Sequence, residues 1–155
     1  MQRPFRVVLS IAAFFIGIST VAAQTPPPTT EAALIAAGNK PLTAAQIMSM
    51  FVGNTIVETA LASIGNIPAG GVAKTFYRDA KLRITVPQGG PRAGNKLQSK
   101  WWMEGDLQCG ERVLTGSGSS CRSLYQVGSS LYACGKPAGN CNLLVRIVPG
   151  NPDGI

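Results

Sequence analysis

Cys109, Cys121, Cys134 and Cys141 carry the most reactive side chains of this chain, and all four fall in its last third. Cysteine thiolates bind zinc, attack electrophiles or oxidise to disulfides. Cysteine-based zinc sites use closely spaced CxxC pairs, often completed by histidine. Here no two cysteines are that close, and the 155 residues contain no His. Disulfides are the chemistry that remains. Four cysteines allow three connectivities. The local one is expected: Cys109 with Cys121 and Cys134 with Cys141, each bridge stapling a hairpin across its mouth. Closing a loop of about 12 residues contributes roughly 2–3 kcal/mol through lost chain entropy.

Catalytic signatures are sparse. Without His there is no Ser-His-Asp triad, no Cys-His pair and no imidazole metal site. No Ser-x-x-Lys motif, P-loop or strand–helix GxGxxG occurs. The run Gly116-Ser117-Gly118-Ser119-Ser120 reads as a plain loop between two cysteines, not a phosphate cradle. Glu104 and Asp106 are the one carboxylate pair placed for acid–base work on a sugar. They also bracket Gly105, which reads as a solvated turn, and Asp79 reads as a turn initiator. No catalytic residue, metal or cofactor is expected.

Binding chemistry centres on Trp101-Trp102. Adjacent strand residues point to opposite faces. One Trp should pack inside with Leu97 and Met103, the other on the face of Lys100 and Glu104. An exposed Trp beside Lys100 and Arg122 could stack on a sugar ring or anchor a protein contact. The plainer alternative covers both rings, one by the core and one by the helix at 44–52.

These residues must be positioned by a body that leaves the cytoplasm. Arg3 and Arg6 precede an apolar run from Val7 to Ile18, and Val21-Ala22-Ala23 places small residues before Gln24. That is the plan of a cleaved signal peptide over 1–23. The apolar run is about 12 residues, short of the roughly 20 needed to span a bilayer. No cysteine near the cleavage point supplies a lipid anchor, and no later segment reads as a transmembrane span. A periplasmic or secreted location is expected. Losing Arg3 and Arg6 lowers the net charge from +7 to +5. The remaining basic residues are scattered, which disfavours nucleic acid and suits an anionic envelope polymer or an acidic protein.

Residues 24–41 begin as a proline-rich linker, with a short helix expected at 31–37. One disulfide-containing β domain should occupy 42–155. Its opening helix, 44–52, is well signposted. Thr43 and Gln46 form a capping box, Leu42 and Ile47 a hydrophobic staple, and Ile47, Met50 and Phe51 share a face. Strands are expected near 55–61, 72–79, 81–86, 96–104, 107–114, 121–127, 130–134 and 142–148, with turn residues between them. Residues 81–86 alternate polar and apolar, predicting one wet face. The fold class is mainly β: an antiparallel meander of seven to eight strands curled into a small barrel or bent sheet, preceded by one or two short helices.

LTAAQIMSMFVGNTI at 42–56, FYRDAKLRI at 76–84, Trp102…Leu107…Cys109, Cys121…Tyr125 and GNP at 150–152 carry a family likeness. On them the chain resembles a domain-of-unknown-function family of small secreted alphaproteobacterial proteins. It departs from the family at Ala80, where Gly is usual, and in longer Gly-rich stretches at 62–71 and 87–95. The resemblance implies export and a small β domain, and no reaction. The functional expectation is a non-catalytic binding or interaction protein of the cell envelope. The alternatives are a small hydrolase inhibitor presenting loops 87–95 and 115–120, or a lipocalin-like carrier of a small apolar ligand.

Overall fold

The computed structural model describes residues 30–155. The expected signal peptide at 1–23 and residues 24–29 of the expected linker lie outside the described residues. Two helices, α1 (Glu31–Ala36) and α2 (Ala44–Phe51), precede eight strands. These are β1 (Thr55–Ala60), β2 (Val72–Tyr77), β3 (Leu82–Pro87), β4 (Leu97–Glu104), β5 (Leu107–Glu111), β6 (Ser119–Val127), β7 (Ser130–Gly135) and β8 (Asn140–Val148). Each strand pairs antiparallel with the next, and β1 also pairs with β8, so the meander closes into a barrel rather than staying a bent sheet. Closure gives every strand a partner on both sides over at least part of its length.

α2 forms where its capping signals place it. Thr43 Oγ1 accepts from Gln46 N, and Gln46 Oε1 accepts from Thr43 N at 2.9 Å. Gly53, at φ 77°, then turns the chain into β1 and donates its N–H to Tyr77 O at 2.7 Å. α2 plugs one end of the barrel. Its Ile47 and Phe51 are fully buried in one core with Ile56, Tyr77, Trp101 and Leu124. Phe51 meets the Tyr77 ring at 4.8 Å, and Tyr77 meets Trp101 edge-on at 4.8 Å. This core accounts for α2, because a helix of only eight residues is marginal without tertiary packing.

β5 begins at Leu107 and pairs with β6 only over Ser119–Arg122, which leaves the far half of β6 without that partner. Pro41 and Leu42 fill the gap: Pro41 bridges to Tyr125, and Leu42 N donates to Leu124 O at 2.7 Å. α1 lies outside the barrel, where Leu34 is buried against Tyr125, Tyr132 and the Cys134–Cys141 bridge.

One expectation is reversed. Of the alternating residues 81–86, the polar ones were expected to face solvent. The register puts Arg83 opposite Tyr77 and Ser99, and Thr85 opposite Thr75, all on the lumen side. Leu82, Ile84 and Val86 therefore lie on the outer wall, half-buried. The reason is a polar layer inside the barrel, which accepts the charged face of β3.

Candidate functional site

The disulfides join Cys109 to Cys121 and Cys134 to Cys141. Cys109 and Cys121 are directly opposed on β5 and β6. The second bridge needs the register shift in the β7–β8 pairing, which runs from Ala133↔Leu143 to Gly135↔Asn140 and so brings Cys141 across from Cys134. Glu104 Oε2 lies 3.7 Å from Cys109 Sγ and 3.8 Å from Cys121 Sγ. Two sulfurs and a carboxylate in this arrangement resemble a metal-binding cluster. Both sulfurs are oxidised, however, and it is the thiolate that ligates.

The carboxylate pair is divided between two structural tasks. Asp106 Oδ1 accepts from Ala44 N at 2.8 Å and so holds the first turn of α2. Glu104 sits on the outer wall beside the disulfide. Asp79 Oδ1 accepts from Lys81 N and Leu82 N, each at 2.8 Å, closing the β2–β3 turn. Those backbone donors, with Arg78 beside them, hold its carboxyl below the usual range.

The two tryptophans separate as strand geometry requires. Trp101 is buried in the core, and its Nε1 donates to Asp79 O at 2.8 Å. Trp102 is 37% exposed on the outer wall. The helix at 44–52 covers Trp101 and not Trp102, so the alternative of two covered rings is set aside. Arg122, expected on the surface with Trp101 and Lys100, is a second correction. Pairing with Gln108 and Gly135 turns it into the lumen.

Two sites result. The first is an outer-wall groove of about 750 Å³ lined by Asp79, Ala80, Lys81, Leu82, Lys100 and Trp102, with an edge of Trp101. Trp102 and Leu82 offer apolar area, and Lys81 and Lys100 stand at its sides. Lys100 is fixed through its backbone, whose N–H donates to Glu111 Oε2 at 2.7 Å. A flat apolar ring with flanking ammonium groups suits a sugar or peptide that carries negative charge.

The second is the lumen layer, which sequence reasoning missed. Arg122 Nη2 pairs with Glu58 Oε1, and Arg122 Nε donates to Gln108 Oε1. Burial alone would lower the Arg122 pKa, but the Glu58 charge overrides it and holds the guanidinium charged. Arg83 donates to Ser99 Oγ at 3.1 Å, Tyr77 OH at 3.3 Å and Glu111 O at 2.7 Å. Gly110 makes room for it, since a Cβ there would lie 2.6 Å from Arg83 Nη2. The even spacing of Arg83 and Thr85 in a strand was the available signal. Whether that face looked in or out depended on strand partners far away in sequence.

A third cluster fastens α1. Glu31 accepts from Ser123 Oγ at 2.6 Å, from Tyr125 OH at 2.8 Å and from Lys136 Nζ. Burial raises the Glu31 pKa, but these donors and the Lys136 charge outweigh it and hold the carboxyl below its ordinary value of 4.5. Burial and Glu31 push Tyr125 up to about 12. Comparison of the chain with family models, curated proteins and solved structures finds no match.

Proposed function

We propose that this is an exported, non-catalytic binding protein of the cell envelope, acting in the periplasm or outside the cell after removal of residues 1–23. Its two disulfides belong to an oxidising, non-cytoplasmic compartment. The observation that carries the binding role is the groove: an exposed Trp102 in a depression that Lys81 and Lys100 also line. Its ligand is an anionic envelope polymer, whose rings stack on Trp102 while its acidic groups meet the two ammonium groups. The resemblance to small secreted proteins supports the same location.

The test is co-sedimentation of the purified protein with envelope glycans bearing carboxylate or phosphate groups. Binding should weaken with salt, because the charges are exposed. Trp102→Ala should weaken it about tenfold, the equivalent of one stacking contact. Equal binding by Trp102→Ala would sink the groove as the site. Capture of an acidic hydrolase through loops 87–95 and 115–120, without glycan binding, would favour an inhibitor instead.

A further inference from the structure

Lumen charge is unbalanced. Among the described residues Arg83 and Arg122 share the lumen with a single carboxylate, Glu58, which is paired with Arg122. Arg83 has three acceptors, all neutral: a serine hydroxyl, a phenol and a backbone carbonyl. Guanidinium stays protonated at any working pH, so this charge has no partner of opposite sign among the Arg83 hydrogen bonds. Inward-facing charges without a counter-charge are unusual in packed interiors. Tyr77 OH lies 3.3 Å from Arg83 Nη1 and 3.4 Å from Arg122 Nη2, so the two guanidinium groups converge on one oxygen-sized region.

The layer can be reached. Arg122 pairs in register with Gly135, which is exposed, and a Cβ at Gly135 would meet nothing within 4 Å. Ser120, one inward position along β6 from Arg122, is exposed as well. The Arg122 and Glu58 side chains retain 13% and 15% of their accessibility. Elsewhere the same end is narrow. Thr115 packs within 3.5 Å of the position a Cβ on Gly65 would take, and Arg92 Nη1 donates to Val113 O at 2.7 Å. α2 blocks the opposite end with apolar side chains.

We infer that the lumen holds a second site, separate from the Trp102 groove, which binds a small oxyanion of the carboxylate or phosphate class on Arg122 and Arg83. Planar guanidinium groups bind such anions through paired N–H donors. Glu58 competes for Arg122 and sets the affinity.

Calorimetric titration of the full chain with inorganic phosphate, and separately with succinate, at constant ionic strength in chloride tests this and separates the two sources. Saturable binding of at least one is expected. Glu58→Gln, which is nearly isosteric and leaves both cations, should tighten it about tenfold. Arg83→Met should weaken it by about the same factor, while Trp102→Ala leaves it unchanged. No saturation by either anion in both the parent chain and Glu58→Gln would overturn the proposal, as would binding that Arg83→Met leaves intact. If Arg83→Met fails to fold, the direction of the Glu58→Gln effect decides.

Discussion

Glu31 shows how a single side chain can carry the docking of an element. Its three donors come from β6 and the β7–β8 turn, so the carboxylate ties α1 to two parts of the barrel wall. Because the folded pKa lies below 4.5, the stabilisation is complete above 4.5 and is lost as pH falls through the lower folded value. Glu31→Gln should therefore destabilise by about 2 kcal/mol near neutral pH, the worth of charge-assisted hydrogen bonds. The difference from the parent should shrink as urea titrations are carried to pH values progressively further below 4.5. A difference that persists in acid would mean packing, not charge, holds α1. The tryptophans make the opposite comparison. Trp101→Ala removes a buried ring and should cost about 3–5 kcal/mol. Trp102→Ala, on the outer wall, should cost well under half of that in the same thermal and urea measurements.

At the scale of elements, local rules worked best where all the information was local. The Thr43–Gln46 capping box, the Leu42–Ile47 pair and the Ile47–Phe51 face specify α2 within a few consecutive residues. Thr43→Ala should cost about 1 kcal/mol, read as a drop in the urea midpoint. Asp106→Asn should leave a smaller deficit, because its amide oxygen can still accept from Ala44 N. Strand positions were equally readable from their turn residues, and the eight strands lie close to their expected ranges. The two faces of β3 were not. Alternation announces that two faces differ, and in an open sheet the apolar one goes inside. In this barrel the charged face of β3 goes inside, since Glu111 O, Ser99, Tyr77 and Gly110 on β2, β4 and β5 receive it.

For the whole molecule, the barrel is held by closure, by the α2 plug and by two cross-strand disulfides on neighbouring walls. Opening the Cys109–Cys121 bridge with a paired Cys→Ala substitution frees a loop whose ends are 12 residues apart. The expected loss is roughly 2–3 kcal/mol, measured by urea unfolding with and without reductant. A reductant effect that survives in the paired variant belongs to Cys134–Cys141. The amino-acid sequence by itself determined the absence of histidine chemistry, the helix with its cap, the approximate strand positions and the oxidised state of the cysteines. Each of these depends on composition or on neighbours a few residues apart. Only the tertiary structure decided that β1 meets β8, that Arg122 points into the lumen, that Asp106 serves α2 and that Trp102 stays uncovered. Those outcomes depend on partners far away in sequence, and in a closed barrel it is the register between strands that assigns every side chain to the lumen or the outer wall.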